Sequence, residues 1–301
     1  NQLAMDERLA VMMVRNGNMQ QAETLLEGKS ISSEKLVERL IRVSLRERDW
    51  NKIHFWINKL PQDAKQSERW RYWKARSLQE LDPEGNADEI KSIYSELALR
   101  RDFYGFLSAD ILGQKYELVD RPVTSSKELM NSVKQSPGMI RAREFLALNR
   151  INSARREWRY TTRNFDIDEK KTAGIVAQQW GWHRKGIEAM ASARYWDDLQ
   201  VRFPLAFNTQ VQTVAELTKM EPQLLFAVAR QESAFSPDAR SRVGATGLMQ
   251  LMPGTAKDTA KKIGIKYKKS DLLRPEINVK LGGSYLKQMM GRFEDNRILT
   301  A

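Results

Sequence analysis

The sequence predicts an all-α protein, and three of its features indicate that class. Apolar residues recur at helical spacing over most of the 301 residues. No segment shows the sustained alternation of apolar and polar residues that is typical of a half-buried strand. The chain contains no cysteine, which excludes disulfide bonds, zinc–thiolate sites and thiol nucleophiles, so we expect helix packing to hold the fold.

The first 115 residues predict successive helical hairpins. Gly17 and Asn18 interrupt one apolar pattern, and Arg48 and Asp49 interrupt the next, which implies a repeat of roughly 32 residues. Each hairpin in such a repeat buries its apolar face only against its neighbours, so we predict an α-superhelical repeat domain over 1–115. The helical patterns cover residues 8–26, 39–60, 69–81 and 88–100.

Four tryptophans recur near the predicted helix starts of this region. We interpret them as packing between repeats rather than as a platform on which a ligand stacks. They are Trp50, Trp56, Trp70 and Trp73.

Two interruptions of the helical pattern divide the rest of the chain. Residues 113–126 contain Pro122 and a Thr-Ser-Ser run, which indicates an extended linker. Short helices are predicted again over 127–200, and the sequence RFPLAFN at 202–208 separates them from a last unit. We therefore predict a linker region with a small helical domain over 116–202 and a third domain over 203–301.

The composition limits the possible partners. The 50 basic and 38 acidic residues give a net charge of +12, which favours a polyanionic partner such as a cell-wall polymer, nucleic acid or an anionic membrane surface. No run of eighteen apolar residues predicts a membrane span. His54 and His183 lie far apart beside aromatic residues, which favours packing roles over a metal site or a catalytic triad. The lysines between Lys257 and Lys269 are interpreted as a solvated surface.

One carboxylate stands out in the third domain. Glu221 and Pro222 predict the first turn of a helix, where proline is tolerated because its missing N–H would be unpaired anyway. Glu232 lies four residues after Val228 and continues an apolar stripe, so we expect its carboxyl to face packed structure. Burial favours the neutral form of a carboxyl, which a general acid needs. The alternative is a glutamate at a helix end that reaches solvent.

The sequence after Glu232 contains residues suited to a ligand site. Gly244 and Gly247 give the backbone unusual freedom, and Pro253 and Thr255 indicate a loop that leads into another helix. Gln250 offers an amide to a polar ligand, and Met249 and Met252 offer adaptable apolar surface. No second carboxylate in this segment has a recognisable role, which argues against a two-carboxylate glycosidase.

These residues resemble the catalytic motif of the soluble lytic transglycosylases, bacterial enzymes with a lysozyme-like fold that cut peptidoglycan. The resemblance rests on Glu232-Ser233, Ser241, Gly244-Ala245, GLMQ at 247–250 and MPGTA at 252–256. It extends through LLRPEINVKLGGSYLKQMMGRF at 272–293, and more loosely over the rest of the chain.

The resemblance implies cleavage of the β-1,4 bond from N-acetylmuramic acid to N-acetylglucosamine with a 1,6-anhydro product. Glu232 would protonate the glycosidic oxygen and then accept the proton of the muramyl 6-hydroxyl. Because the nucleophile belongs to the substrate, no second carboxylate is needed.

The implied substrate-binding residues surround Glu232 in the motif. By the same resemblance Ser241 would hydrogen-bond near the acid, and Gln250 and Met252 would line the sugar groove. Met249, Ser233 and Gly247 also match the motif, although Met249 and Ser233 could equally serve packing and the helix end. No metal or other cofactor is expected.

The ends of the chain carry two further expectations. The first residues lack a basic segment followed by an apolar one, so we expect an internal fragment or a mature periplasmic form whose export signal is gone. The family places an Ala-Tyr-Asn motif shortly after the helix that here leads to Ala301. The catalytic domain is therefore expected to be incomplete at its C-terminus.

Three other functions compete with this interpretation. A muramidase would use water and leave a reducing end. A helical-repeat protein with an inactive lysozyme-like domain would hold glycan without cutting it. Nucleic-acid binding has only net charge in its favour, because no basic and aromatic recognition motif is present. The favoured partner is a peptidoglycan glycan strand, bound by a monomer.

Overall fold

The computed structural model describes residues 2–294 of the chain. Over that range regular structure consists of 18 α-helices and one 3-10 helix, with only isolated bridges near residues 240–251. The predicted all-α class is confirmed. Two units are separated along the chain, Asn1–Leu118 and Val119–Ala301. Among the described residues no helix is long and apolar enough to cross a membrane.

The first unit is built from consecutive helical hairpins. Its turns lie where the sequence predicts them: Gly17 has a φ of 82°, and Arg48 adopts the left-handed conformation. Asp49 then caps the next helix by accepting a hydrogen bond from the Lys52 N–H at 3.0 Å. The helices are α1 Gln2–Arg15, α2 Met19–Leu26, α3 Glu34–Glu47, α4 Trp50–Asn58, α5 Gln62–Lys65, α6 Glu68–Leu81, α7 Ala87–Ala98 and α8 Phe103–Leu112.

The four tryptophans of this unit pack into its cores. Trp56 and Trp70 are buried, and Trp50 and Trp73 are half-buried against the same cluster. Leu40, Ile41 and other aliphatic side chains of successive hairpins fill the space between them. The predicted packing role is therefore confirmed.

The segment after α8 has no regular structure, as predicted for 113–126. Gly113 ends α8 in the left-handed conformation, and helix resumes at Lys127. Backbone groups tie its second half down: the Arg121 N–H donates to the Asp197 carbonyl at 2.8 Å, and the Val123 N–H donates to the Asp198 carboxylate at 2.9 Å.

The second unit continues with short helices and ends with four more, of which the last three line the candidate site. The predicted helical content over 127–200 is confirmed. The short helices are α9 Lys127–Gln135, α10 Pro137–Ala147, α11 Ile151–Thr162, α12 Ile167–Gln179, α13 His183–Ser192 and α14 Leu199–Arg202. The last four are α15 Asn208–Thr218, α16 Pro222–Ser233, α17 Pro253–Lys262 and α18 Pro275–Arg292, with the 3-10 helix Lys269–Leu273 between the final two.

One core holds the site region together. Side chains of α15, α16 and α18 pack around Leu225, which is fully buried. Gly283 allows this approach, because a Cβ there would overlap with Val214 of α15. The expectation that the catalytic domain is incomplete at Ala301 concerns residues outside the described range.

Candidate active site

Helix α16 carries two parallel rows of side chains, one position apart in sequence. Pro222 occupies its first turn and Glu221 its N-cap position, as predicted. Leu225, Ala229 and Ser233 are buried and face the core. Leu224 and Val228 are only half-buried, and Glu232, which continues their row, is exposed. The helix therefore packs along one row and presents the other to open space.

The expected burial of the Glu232 carboxyl is wrong. The apolar stripe in the sequence combined both rows, and four residues of helix turn by about 40° relative to a full rotation, so successive members drift around the helix. Leu224 and Val228 contact the core on one side and line a groove on the other, and Glu232, the last member of their row, is exposed at the groove. The alternative interpretation, a glutamate at a helix end that reaches solvent, describes this structure.

The groove beside this row has a volume of about 580 Å³. Within the described residues, Glu232 is the only charged side chain among those that line it. Other lining residues come from α16, the loop after it, α17 and α18. They are Leu224, Ala227, Val228, Gln231, Met249, Gln250, Leu251, Met252, Thr255, Gly282, Tyr285 and Leu286.

The loop after α16 turns sharply at the helix end. Ala234 and Phe235 both adopt positive φ angles, of 50° and 61°. Burial of the Phe235 ring in the core compensates for this unfavourable backbone. Ser233 fastens the same turn, because its hydroxyl donates to the Ala229 carbonyl at 3.2 Å and accepts from the Ser236 N–H at 3.1 Å. The sharp turn brings the loop back toward the groove.

Asn278 of α18 fixes the middle of the loop. Its side-chain oxygen accepts from the Met249 N–H at 2.8 Å, and its amide nitrogen donates to the carbonyls of Thr246 and Leu272 at 3.0 Å each. Asn278 is fully buried, so these three bonds satisfy polar groups that would otherwise be costly. Gly247 lies against it with a φ of 84°, and a Cβ at that position would overlap with the Asn278 side chain and the Leu272 carbonyl.

Gln250 also holds the loop from within. Its φ is 43°, and its amide nitrogen donates to the carbonyls of Gly247 at 2.8 Å and Ala239 at 3.2 Å. Since both partners are acceptors, they fix the orientation of the amide. The side-chain oxygen of Gln250 is therefore the atom that can meet a ligand in the groove.

The two methionines contribute different surfaces. Met249 is buried and packs closely on Gly282 of α18, where a Cβ would overlap with the Met249 side chain. Met252 is 42% exposed and occupies the N-cap position of α17, directly before Pro253. The predicted loop leading into a helix at Pro253 is confirmed.

The structure brings four of the seven predicted site residues together at the groove: Glu232, Met249, Gln250 and Met252. The other three are absent from the groove lining. Ser233 and Gly247 are buried and shape the loop, as described above. Ser241 is exposed, and its hydroxyl accepts from the Ala245 N–H at 3.0 Å within a tight loop.

Neither of two nearby aspartates supplies a second acid to the groove. Asp238 pairs with Arg155 of α11, with 2.8 Å between Oδ1 and Nη2, and accepts from the Ser236 hydroxyl at 2.9 Å. Asp271 is buried and accepts from the Lys268 N–H at 2.9 Å. Over residues 2–294 no cluster of three potential metal-ligating side chains occurs.

Sequence reasoning missed Asn278 and Tyr285, both on α18. Asn278, Leu281, Gly282 and Tyr285 follow the i, i+3, i+4, i+7 spacing of one helix face. A polar residue on such a buried face requires partners. A polar residue on a buried helix face therefore predicts that Asn278 has hydrogen-bond partners. It does not predict that one partner is a loop some thirty positions earlier.

Two family models match this unit. Residues 210–301 match the "Transglycosylase SLT domain", and residues 132–199 match the "Soluble lytic murein transglycosylase L domain". The first covers the groove and Glu232, and the second covers the short helices before it.

Named relatives match over most of the chain. The soluble lytic murein transglycosylase of Escherichia coli (strain K12) is 35% identical over 272 residues, which cover 89% of this chain and 41% of the relative. The putative soluble lytic murein transglycosylase of Haemophilus influenzae is 31% identical over 279 residues, which cover 91% of this chain and 44% of the relative. The chain thus spans less than half the length of either relative.

Solved structures agree with these matches. The crystal structure of an inactive variant of the lytic transglycosylase Slt from Pseudomonas aeruginosa is 38% identical, with a TM-score of 0.89. The 70 kDa soluble lytic transglycosylase of Escherichia coli is 32% identical, with a TM-score of 0.90. Each comparison covers 99% of this chain and 48% of the solved chain.

Proposed function

Because this chain belongs to the soluble lytic transglycosylases, we propose that it comes from a peptidoglycan lytic transglycosylase. The reaction would break the β-1,4 bond from N-acetylmuramic acid to N-acetylglucosamine and form 1,6-anhydro-N-acetylmuramic acid. Its substrate would be the glycan strand of peptidoglycan in the periplasm, bound by a monomer.

The observation that carries the proposal is a single carboxylate in an otherwise uncharged groove. Glu232 projects from the end of α16 into a space bounded by apolar side chains and the Gln250 amide. Asp238 and Asp271 already have partners elsewhere. One acid suits a reaction whose nucleophile is part of the substrate, whereas an inverting glycosidase needs a second carboxylate to activate water.

Glu232 would act twice in this reaction. The carboxylic acid donates its proton to the glycosidic oxygen as the bond from C1 breaks and N-acetylglucosamine leaves. The resulting carboxylate accepts the proton of the muramyl 6-hydroxyl as that oxygen bonds to C1. Atoms balance without water, and the enzyme returns to its starting protonation state.

A bound glycan would exclude water from the Glu232 carboxyl. Glu232 is exposed in this structure, so the protein alone does not bury its carboxyl. Sugar rings that fill the groove over Leu224 and Val228 would cover the carboxyl and favour the neutral form that a general acid needs.

We assign the remaining predicted site residues to two tasks. The Gln250 oxygen and the side chains of Met249 and Met252 would contact the sugar, since all three line the groove. Ser233, Ser241 and Gly247 would act through the loop, because the two serines hydrogen-bond loop and helix backbone and Gly247 lies against the Asn278 side chain and the Leu272 carbonyl.

We propose separate roles for three regions of the chain, 1–115, 116–202 and 203–301. The family matches at 132–199 and 210–301 support the second boundary, and the irregular segment after α8 supports the first. The first region would hold the glycan strand, since helical repeats offer an extended surface.

Mass spectrometry of the products tests the reaction class. The full natural protein is incubated with glycan strands, and we expect products lighter by one water than those of hydrolysis. Products with reducing ends would instead identify a muramidase.

The Glu232→Gln variant tests the acid role of Glu232. We expect its turnover to fall by about 10²–10⁴-fold with glycan binding retained, because proton transfer is lost while the shape of the groove is kept. Glu216→Gln, which changes an exposed glutamate of α15 outside the groove, is the matched control. Unchanged turnover in Glu232→Gln would remove Glu232 from the acid role. Binding by the wild-type protein without any cleavage would favour the scaffold alternative.

A further inference from the structure

A second cavity lies in the same unit, between helices α11, α12 and α13. Its volume is about 640 Å³. Five cationic side chains and one carboxylate line it: Arg155, Arg156, Arg159, Lys170, Lys185 and Glu188. We refer to it as the basic cavity.

Helix α11 supplies the basic face of this cavity. Asn152, Arg155, Arg156 and Arg159 follow the i, i+3, i+4, i+7 spacing that a helix normally uses for its apolar, buried face. In α11 that task falls to the adjacent row, where Ala154 and Trp158 are buried in the core. The row of arginines therefore faces a space between helices without being needed for packing.

Small residues keep the space open. Ala173 of α12 and Ala189 of α13 lie at the cavity and are both buried. The Trp158 ring, which is 4% exposed, contributes an apolar surface beside them. The result is a concave site with an apolar floor and cationic walls, which suits a ligand that has both aliphatic and anionic groups.

Two of the five cations already have partners. Arg155 pairs with Asp238, and the Lys185 ammonium lies 2.6 Å from a Glu188 carboxylate oxygen. Burial of Glu188 opposes its charged form, but hydrogen bonds from Lys185 and Arg184 outweigh this and lower the pKa of Glu188. Glu188 therefore already forms ion pairs with two cations, Arg184 and Lys185.

The other three cations have no acidic partner among the described residues. Arg156 donates only to the Ser153 hydroxyl, at 3.2 Å, and no ion pair forms at Arg159 or Lys170. Lys170 is half-buried, so its charge is less screened than that of a fully solvated lysine. The cavity thus has an excess of positive charge that an anionic ligand would neutralise.

Arg155 connects the basic cavity to the candidate active site. The same guanidinium nitrogen, Nη2, lies 2.8 Å from Asp238 Oδ1 and 3.2 Å from the Ser236 hydroxyl. Both residues belong to the loop that begins directly after Glu232 and its helix. A ligand at the groove and a ligand at the cavity would therefore border the same loop.

We propose that the basic cavity binds the carboxylates of a stem peptide carried by the glycan strand that occupies the groove. This inference deepens the proposed function and rests on it. Stem peptides combine several carboxylates with alanyl methyl groups, which match the cationic walls and the apolar floor. Arginine is suited to this recognition, because its guanidinium can donate two parallel hydrogen bonds to one carboxylate.

Calorimetric titration of the full natural protein tests the assignment. The probes are the murein tetrapeptide with free carboxylates, the same peptide with every carboxylate amidated, and inorganic phosphate. We expect the tetrapeptide to bind, and the amidated peptide to bind at least about tenfold more weakly because its charge-assisted bonds are lost. Phosphate that binds as tightly as the tetrapeptide and competes with it would reduce the cavity to a nonspecific anion site and overturn the proposal.

Two double variants with equal change in charge locate the site. Arg159→Gln with Lys170→Gln removes two unpaired cations of the cavity, and we expect at least about tenfold weaker tetrapeptide binding. Lys127→Gln with Arg143→Gln removes two exposed cations of α9 and α10 outside the cavity, and we expect unchanged binding. Equal affinity in both double variants would overturn the proposal.

Cleavage assays separate this inference from the proposed function. With peptide-free glycan strands, both double variants should cleave within about twofold of wild type, because neither pair lines the groove. With strands that carry stem peptides, the cavity variant alone should show a raised KM. A wild-type protein that binds the tetrapeptide through the cavity but cleaves no glycan would contradict the proposed function and leave the binding assignment supported.

Discussion

The helical hairpins of the first unit and the loop over 234–252 are ordered by different means. In the hairpins, apolar side chains repeat at helical spacing, and tryptophans such as Trp56 and Trp70 fill the cores. In the loop, single polar contacts fix the backbone: Asn278 bonds two of its backbone groups and ties them to the Leu272 carbonyl, and Gln250 bonds two more. Five residues of the loop have positive φ angles: Ala234, Phe235, Gly244, Gly247 and Gln250.

The difference separates two sources of structural order. Periodic packing distributes stability over many similar contacts, so each hairpin tolerates variation as long as its core stays filled. A loop held by a few specific bonds depends on each of them, but it can place side chains such as Gln250 and Met252 where a regular helix could not. The following substitutions test this distinction.

The largest expected effect is in the packed region. Trp70→Ala removes a side chain that is 3% exposed, and we expect a loss of about 3–5 kcal/mol in the free energy of unfolding. Urea denaturation followed by circular dichroism measures it. Phe103→Ala, which removes an exposed aromatic residue of the same unit, should cost less than about 1 kcal/mol. Similar losses for the two variants would show that burial does not determine stability in the hairpins.

A pair of glycines in the loop provides the next test. Gly247→Ala combines a positive φ with overlap against Asn278 and Leu272, and we expect a loss of about 2–4 kcal/mol. Gly244 also has a positive φ, of 97°, but open space around it, so Gly244→Ala should cost only about 1 kcal/mol. Thermal unfolding of both variants measures the difference. Equal losses would mean that contact with Asn278 does not constrain the loop.

Asn278→Ala tests the polar contacts directly. It removes three buried hydrogen bonds, of which, within the described part of the chain, only the one to the Thr246 carbonyl is backed by a second donor, the Leu251 N–H at 3.2 Å. We expect a loss of about 2–3 kcal/mol in the free energy of unfolding together with weaker glycan binding. Chemical denaturation and a binding titration measure the two effects. The control is Asn164→Ala on an exposed turn, with an expected change below about 0.5 kcal/mol. Retained stability in Asn278→Ala would indicate that water replaces the amide.

The smallest expected effect is a dependence on pH. Burial lowers the pKa of His183 in the folded state below its ordinary value of about 6.5. The unfolded chain then binds more protons near and below pH 6.5, so the stability from neutral His183 is present above that pH and falls as the pH is lowered through the folded-state pKa. Denaturation between pH 8 and pH 5 should show this slope, and His183→Asn should reduce it.

Titration of His54 accounts for the pH dependence of stability that should remain in the His183→Asn variant. Burial and the charge of Lys74 lower the pKa of His54 as well, so the direction is the same. If the free energy of unfolding changes with pH equally in wild type and in His183→Asn, the contribution of His183 to the pH dependence is contradicted.

The sequence predicts the hairpins well because their signals are local. Apolar spacing predicts a helix over 69–81, and α6 covers Glu68–Leu81. Gly17 and the pair Arg48 and Asp49 lie in turns as expected, since turn residues act on their own backbone. The motif from Gly247 to Ala256 likewise predicts a loop followed by a helix.

The candidate site is predicted only in part, because its remaining features depend on distant residues. Periodicity locates Glu232 on a stripe but does not determine whether the neighbouring space is a core or a groove. That depends on where α18 places Gly282 and Tyr285. The role of Asn278 is missed for the same reason, since its three partners lie in other elements.

The two rows of α16 differ in how far the core constrains them. Leu225 and Ala229 are buried in the core, whereas Leu224 and Val228 pack against it only in part and also line the groove. Substitutions in the second row can therefore alter which ligands fit while the helix stays anchored. A one-residue insertion within α16 would turn the following residues by about 100°, which would move groove-lining residues into core positions and turn the core residues away from the core. Related proteins should accordingly diversify at these positions by substitution and keep the length of the helix.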